Sequence, residues 1–324
     1  MIKNKTSKNP IFIIGVGRSG TTLIQSMLNA HQNIAFPPET HFVRNYLGNK
    51  KVRKKVINND YEFLKNKINT DKSLDKLDLN YNKLIDKVKQ NGFKLEKLYK
   101  EILLEYAVSE KLNMIGDKDP KNIEYLSIIK KYFPNSYIIH IIRDPRDVML
   151  SRMKADWSKG RPLWLHALTY RAQIKKGRRD GEKLFGDNYF ELNYENLITN
   201  PEKELINICE FLNVNYDKNM LKFNQKADEI IKGEEKKWKD KCFKPVISNN
   251  KNKWKEKMNK KEVLLTEFIC KVAFDKLDYN KSGYDNNMSL KDKVKYNLIS
   301  KSSNLFDILY RIYHYLRQQQ VKKY

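Results

Sequence analysis

The chain has 324 residues, with 64 Lys or Arg against 39 Asp or Glu, so its formal net charge is +25. An apolar share of 40% and an aromatic share of 11% exclude a wholly disordered chain, and the length suffices for a large α/β domain. The charge indicates anionic partners: a nucleic acid, an anionic lipid, or a phosphorylated or sulfated small molecule. By itself it does not choose among them.

Cysteine and apolar patterns predict the compartment. Three widely spaced cysteines without a CxxC pair argue against a structural zinc site or a disulfide framework, and predict reduced thiols. The apolar run at residues 11–16 is too short for a signal-peptide core, and no stretch is long and apolar enough to span a membrane. We therefore expect a cytoplasmic protein, and with five histidines in the whole chain we predict no metal site.

The first predicted unit is a strand, a glycine-rich loop and a helix. Residues 11–15 read as a buried strand, because a short β-branched and aromatic run ends at a glycine. The loop 15–22 follows, and apolar residues then recur at helical spacing over 23–30. Residues 34–42 contain two prolines and read as a turn or a short extended piece.

The rest of the chain alternates helices and strands. Residues 43–112 are rich in Lys and Asn and predict several helices, including one over 95–107, without a clear strand. Further predicted strands lie at 114–116, 137–142 and 189–192, and helices at 123–132, from 148, at 201–212 and at 262–277. Such alternation predicts an α/β fold with a parallel sheet.

The last 40 residues predict a basic amphipathic tail. One helical face carries Leu305, Ile308, Leu309, Ile312, Tyr313 and Leu316. Three uses are open: docking on its own domain, which is favoured, pairing into a homodimer, or contact with an anionic membrane. We expect a flexible segment 1–9, one domain over 10–284 with a helical insertion at 43–112, and the tail over 285–324.

The loop from Gly15 to Thr22 has the spacing of a phosphate-binding P-loop, GxxxxGK[ST]. Glycines let the backbone approach an anion, and the next helix points its N–H groups and positive dipole end at it. Thr21 stands where nucleotide-hydrolysing loops have lysine, which weakens a P-loop kinase interpretation. Arg18 inside the loop supplies an alternative cation.

Three segments resemble sulfotransferases that use 3′-phosphoadenosine 5′-phosphosulfate (PAPS). Residues 17–22 resemble the loop that binds the 5′-phosphosulfate, residues 143–151 the segment whose Arg and Ser hold the 3′-phosphate, and residues 193–201 a tyrosine-containing segment near the cofactor. The resemblance implies a P-loop-like three-layer sandwich, with a central parallel sheet flanked by helices. It implies that the cofactor contacts Gly17, Arg18, Ser19, Gly20, Thr21, Thr22, Arg143, Ser151, Tyr194 and Lys253.

The catalytic residues also follow from the resemblance. Residues 38–42 are similar to the segment that carries a glutamate base in the tyrosylprotein and glycosaminoglycan branches, so Glu39 is the predicted base. His41 is the second candidate, although a structural histidine packed against phenylalanine is favoured for it. Lys118 resembles the lysine of a KDP motif that stabilises the transition state, a role that Arg18 shares.

Other positions depart from that pattern or are ambiguous. Lys253 precedes a tryptophan, as does a nucleotide-contacting lysine of the tyrosylprotein branch, but residues 232–261 hold twelve lysines, so chance matches are easy. Trp238 stands at the offset of that branch's catalytic serine. Arg146 and Arg152 flank the phosphate segment and are expected to be charges on a helix surface.

The resemblance implies sulfuryl transfer from PAPS to an acceptor hydroxyl without a metal. A carbohydrate or lipid-linked glycan is the favoured acceptor, whose binding we expect at the insertion and around residues 155–170. A protein tyrosine is the alternative. A P-loop kinase would require ATP and magnesium, and a nucleic-acid-binding protein would explain the charge but neither phosphate motif.

Overall fold

The computed structural model describes residues 9–109, 114–158, 160–226, 243–277, 279–286 and 288–322. Within these ranges, five strands form one sheet in the order β2-β3-β1-β4-β5, and every neighbouring pair is parallel. The strands are β1 (Ile11–Gly15), β2 (Ile34–Ala35), β3 (Met114–Lys118), β4 (Tyr137–Ile142) and β5 (Tyr189–Asn193). The predicted α/β fold with a central parallel sheet flanked by helices is confirmed.

Strand β1 lies in the middle of the sheet and is buried throughout. Its residues alternate between two cores: Ile11 and Ile13 join the apolar cluster on one face, while Phe12 and Ile14 join the cluster on the other. Helices therefore cover both faces, which explains the continuous apolar run in the sequence.

Helices and strands alternate along the chain. A π-helix covers Val43–Leu47, and 3₁₀-helices cover Pro120–Glu124, Asp156–Ser158, Gly186–Asn188 and Lys218–Lys226. The α-helices are α1 (Thr21–Asn29), α2 (Lys50–Ile57), α3 (Tyr61–Asn69), α4 (Lys72–Asp75), α5 (Tyr81–Gln90), α6 (Leu95–Ser109), α7 (Leu126–Tyr132), α8 (Pro145–Met153), α9 (Leu163–Phe185), α10 (Tyr194–Thr199), α11 (Pro201–Leu212), α12 (Trp254–Lys257), α13 (Lys260–Ile269), α14 (Lys271–Lys276) and α15 (Leu290–Lys322).

Three local predictions need correction. Helix α9 is 23 residues long and was missed, because Gly177 and Gly181 inside it lower helix propensity. These glycines are required for close packing, because a Cβ at Gly181 would lie 2.2 Å from the Tyr189 ring. Strand β3 extends through Lys118, two residues beyond the predicted end at residue 116. The apolar part of 262–277 is divided between α13 and α14.

None of the helices in the described ranges is long and apolar enough to cross a membrane. Residues 1–8 and Trp238 lie outside the described residues, as does part of the lysine-rich segment 232–261.

Candidate active site

The glycine-rich loop joins the end of β1 to the first turn of α1. Gly20 adopts a left-handed conformation with φ of 99°, and a Cβ there would lie 2.5 Å from the Tyr194 ring. A Cβ at Gly15 would lie 2.7 Å from the carbonyl oxygen of Ile141 in β4. Both glycines are thus required by close packing, and the loop presents main-chain groups at the start of α1.

The second predicted phosphate segment lies directly against this loop. Arg18 Nε donates to Ser151 Oγ at 3.0 Å, and Arg143 Nη1 donates to the carbonyl oxygen of Arg18 at 3.3 Å. The Arg143 guanidinium lies over the Tyr194 ring at 4.3 Å, and Asn250 donates to the Tyr194 hydroxyl at 2.6 Å. The structure therefore brings together the three segments that the sequence resemblance selected.

Two buried polar atoms in these segments are suited to an anionic ligand. Ser19 Oγ and Arg143 Nε are both buried and have no hydrogen-bond partner among the described residues. Such groups are costly to bury unless something satisfies them. The donor set also fits, because hydroxyls, main-chain N–H groups and a planar guanidinium are the groups that hold phosphate and sulfate.

The predicted base and the predicted cation are in direct contact. Lys118, at the end of β3, has no exposed surface, and its Nζ forms an ion pair with Glu39 Oε1. The same Nζ donates to Thr22 Oγ1 at 3.3 Å. The Lys118 ammonium thus links the Glu39 carboxylate to the loop that is predicted to hold the phosphosulfate.

His41 lines a cavity that Glu39 also lines, and its favoured assignment as a histidine packed against phenylalanine stays a prediction. Its Nδ1 is 2.9 Å from Asp119 Oδ2, and its Nε2 is 4.0 Å from Glu39 Oε2. The ligand atoms of Glu39, His41 and Asp119 lie within 4.8 Å of one another. Protein cations already contact both carboxylates, however: Lys118 pairs with Glu39, and Arg44 lies 3.2 Å from Asp119.

Asp117 is buried beneath this cluster and fixes the segment that carries Glu39. It accepts hydrogen bonds from Thr40 Oγ1 at 3.0 Å and from Asn122 Nδ2 at 3.1 Å. Burial, followed by repulsion from Asp119, raises the pKa of Asp117 to about 6. The Asp117 carboxyl group thus fixes the position of Thr40, the residue that follows Glu39.

These groups surround one cavity of about 700 Å³. One group of lining residues consists of the predicted donor contacts Gly17, Arg18, Gly20, Thr21, Thr22, Arg143, Ser151 and Tyr194, with Asn250 hydrogen-bonded to Tyr194. A second group consists of Arg44, Lys121, Glu124, Arg152, Trp157, Arg161, Thr169 and Gln173. Glu39 and His41 also line the cavity. We call these two groups the donor end and the acceptor end.

Several predicted positions lie elsewhere. Lys253 is half-buried immediately before α12 and is not among the residues that line the cavity, and its neighbour Trp254 is buried against Arg146 of α8. Lys118 lies behind Glu39 rather than on the surface. Of the described residues in the insertion 43–112, Arg44 alone lines the cavity, whereas the predicted region 155–170 supplies Trp157, Arg161 and Thr169.

Arg146 and Arg152 are buried, so their assignment as surface charges is wrong. Arg146 pairs with Asp144 and Glu267, both at 2.7 Å, and fastens α8 to α13. Arg152 donates to His166 and lines the acceptor end. Burial, followed by repulsion from Arg161, lowers the pKa of Arg152 to about 10. The sequence carries no signal for Glu267 and His166, which lie 121 and 14 residues from Arg146 and Arg152.

Comparison with known proteins identifies the family. A family model described as the sulfotransferase family matches residues 10–218, which is well over half of the chain. The chain belongs to the sulfotransferase family. Among solved structures, this sulfotransferase is similar to the sulfotransferase domain from the curacin biosynthetic pathway, with 21% identity and a TM-score of 0.59 over 84% of this chain and 98% of that one. It is also similar to the sulfotransferase domain of the Synechococcus PCC 7002 olefin synthase, with 21% identity and a TM-score of 0.56 over 80% of this chain and 94% of that one.

Curated relatives point to the same family. Protein-tyrosine sulfotransferase 1 of Danio rerio is 26% identical over 247 residues, which cover 73% of this sulfotransferase and 62% of that protein. Protein-tyrosine sulfotransferase A of Caenorhabditis elegans is 25% identical over 256 residues, 75% and 60% of the two chains. An uncharacterised protein of Aquifex aeolicus (strain VF5) is 26% identical over 276 residues, which cover 74% of this chain and 32% of that protein. The chain thus spans between about a third and three-fifths of these relatives' length.

Proposed function

We propose that this chain transfers the sulfuryl group of PAPS to an acceptor hydroxyl, with a carbohydrate or lipid-linked glycan as acceptor. The observation that carries the proposal is the contact among Glu39, Lys118 and the glycine-rich loop, which joins a base, a buried cation and an anion-binding backbone at one point of the cavity. PAPS would supply the sulfuryl group and leave as adenosine 3′,5′-bisphosphate.

Each donor-end residue has a defined part in binding. The loop N–H groups with Arg18 and the hydroxyls of Thr21 and Thr22 would hold the phosphosulfate, because they line the cavity at the start of α1. Arg143 and Ser151 would hold the 3′-phosphate, since a guanidinium fork and a hydroxyl suit its oxygens. Tyr194 supports Arg143 by lying beneath its guanidinium.

Glu39 would remove the proton of the acceptor hydroxyl. Its carboxylate is less than one-fifth exposed, lines the cavity and is oriented by the Lys118 ammonium. Lys118 and Arg18 would stabilise the negative charge that develops on the departing phosphate. The proton held by Glu39 would then pass to solvent through the open side of the cavity.

The lining of the acceptor end supports a hydroxyl-rich acceptor. Trp157, with half of its surface exposed, offers a flat face on which a sugar ring can pack, and the side chains of Gln173, Glu124 and Thr169 offer hydrogen-bond donors and acceptors. The cations Arg152 and Arg161 favour an acceptor that carries negative charge.

A protein tyrosine is the second candidate, favoured by the names of the curated relatives from Danio rerio and Caenorhabditis elegans. Labelled-sulfate transfer from PAPS to matched panels of glycans and tyrosine peptides separates the two. Transfer to glycans supports our proposal, and transfer to tyrosine peptides alone replaces it with the second candidate.

The donor is tested by thermal shift. We expect adenosine 3′,5′-bisphosphate to raise the melting temperature, because binding to the folded state alone stabilises it. ATP with magnesium is the control for the P-loop kinase alternative. Stabilisation by ATP with magnesium but not by the bisphosphate would refute the proposed donor.

A further inference from the structure

The C-terminal helix α15 docks on the domain through a polar and aromatic face. Asp307 accepts hydrogen bonds from Arg171 at 2.8 Å and from Lys175 at 2.6 Å, both on α9. Ser303 and His314 are buried on the same side of the helix. Docking on the domain is thus observed, but not through the face that the apolar pattern of the sequence suggested.

That apolar face points outward. The exposed large apolar side chains of α15 are Leu290, Val294, Leu298, Leu305, Ile308, Leu309, Ile312, Tyr313, Tyr315 and Leu316, each 43 to 83% exposed. Their steps of three and four residues place most of them along one side of the helix, and at 1.5 Å per residue this apolar stripe is about 40 Å long. Isolated exposed apolar residues are ordinary, but ten of them along one side of a helix indicate a binding surface.

A cationic groove runs beside the apolar stripe. It measures about 990 Å³, lies between α9, α14 and α15, and is lined by eight lysines and arginines against two acidic residues. Lys183, Lys271, Lys276 and Lys301 are all exposed, and no ion pair is found for their ammonium groups among the described residues. Lys301 belongs to both features, since it faces the groove and falls between Leu298 and Leu305 of the stripe.

We propose that α15 lies on an anionic lipid bilayer, with the apolar stripe at the boundary of the acyl chains and the cationic groove over the headgroups. Because an apolar row and a row of cations lie side by side, the partner must offer an apolar surface next to a negative one. The boundary between acyl chains and headgroups of an anionic bilayer offers both. A nucleic acid has no surface for the stripe. A second copy brings another +25 of charge and an identical cationic groove.

The membrane-facing helix also supports the catalytic cavity. On its inner side the Tyr310 hydroxyl donates to Glu124 Oε1 at 2.6 Å, and Gln173 donates to the same oxygen at 2.6 Å. Glu124 and Gln173 both line the acceptor end. A bilayer on the outer side of α15 therefore lies one helix away from the wall of the acceptor end.

Co-sedimentation of the full chain with phosphatidylcholine vesicles, with and without phosphatidylglycerol, tests this proposal. We expect binding to the anionic vesicles only. Replacing Leu305, Leu309 and Leu316 by Ser should weaken binding at least tenfold, because each exposed leucine loses its burial among acyl chains. The matched control replaces Ile57 and Ile206, which are exposed on α2 and α11, by Ser and should bind as the wild type does.

The cationic groove is tested in the same assay. Replacing Lys183, Lys271 and Lys301 by Gln removes three charges near the surface and should weaken binding on the order of 100-fold. Replacing the exposed Lys54, Lys83 and Lys94 of the helical insertion by Gln removes the same charge and should change binding by less than about threefold. Unchanged melting temperatures establish that all variants fold.

Four results with vesicles would each overturn the proposal. Two concern the wild type: no binding to anionic vesicles, or equal binding to neutral vesicles. Two concern the variants: a stripe variant that binds as tightly as the wild type, or a lysine control that loses as much affinity as the groove variant. A wild-type dimer in sedimentation velocity that the stripe variant abolishes, without any vesicle binding, would assign the stripe to a second copy of the chain instead.

Discussion

The two ends of the cavity are built in different ways. The donor end consists of a tight loop, two glycines held by close packing and buried side chains, in segments that each span fewer than ten residues. The acceptor end consists of long side chains such as Arg44, Arg161 and Gln173, which come from separate helices and loops. The donor end therefore depends on local sequence and the acceptor end on long-range packing.

The two ends therefore differ in the substitutions that they tolerate. A loop that presents main-chain groups has few alternative sequences, because any Cβ at Gly15 or Gly20 meets atoms at 2.7 Å or less. Exposed or half-exposed side chains at the acceptor end, such as Arg44, Trp157 and Arg161, can be exchanged without moving the backbone. Four substitutions, ordered by expected effect, test this contrast.

The largest effect is expected for Glu39→Gln, at the junction of the two ends. The amide cannot take the proton of the acceptor, so we expect kcat to fall by about 10²- to 10⁴-fold. The affinity for adenosine 3′,5′-bisphosphate should stay within a few-fold, as measured by calorimetry. His41→Gln is the comparison, and a larger loss of kcat there than in Glu39→Gln would make His41 the base.

The second largest effect is expected for Asp117, in the pH dependence of the free energy of unfolding. Its pKa is about 6 in the folded chain against an ordinary value of 3.8, so between these pH values the folded chain holds more protons than the unfolded one. The contribution of Asp117 to the free energy of unfolding therefore decreases as the pH rises from about 4 to about 6, and stays low above.

Asp117→Asn should remove about 2 kcal/mol of this dependence between pH 4 and pH 7, measured by urea unfolding at several pH values. The substitution is compatible with the site, because Asn122 Oδ1 has no hydrogen-bond partner among the described residues and can accept from the new amide after a flip. Identical pH dependence in the wild type and the variant would contradict a raised pKa at Asp117.

The third effect is expected for Gly20→Ala at the donor end. The new Cβ combines a left-handed backbone with a contact of 2.5 Å to the Tyr194 ring, so we expect a loss of about 1–3 kcal/mol of stability and at least tenfold weaker binding of the bisphosphate. Gly92→Ala is the control, because Gly92 also has a positive φ but its Cβ would meet nothing within 4 Å. An equal loss of stability in both variants would show that the Tyr194 contact is unimportant.

The smallest effect is expected for Arg161→Gln at the acceptor end. Arg161 is exposed, so its charge is screened, and we expect the KM for an anionic acceptor to rise by less than about fivefold. The KM for PAPS should not change. A larger effect on PAPS than on the acceptor would mean that the two ends are not separate.

How much the sequence predicted follows the same division. The β1 run and the loop spacing are local, so the parallel sheet could be predicted before any coordinates. The meeting of Arg18, Arg143 and Tyr194 was implied by the family resemblance instead. Asn250 was missed because only the fold brings it to Tyr194, and α9 was missed because its glycines are required by neighbours distant in sequence.

Local sequence sufficed to predict the sheet and the glycine-rich loop, because strand periodicity and turn chemistry act over a few residues. The other phosphate-binding residues were predicted from the resemblance to the family. The tertiary structure alone decided that Lys118 is buried against Glu39, that His41 faces the cavity and that the apolar face of α15 points outward. An amphipathic pattern defines two faces of a helix, but only the packing of the rest of the chain decides which face is covered.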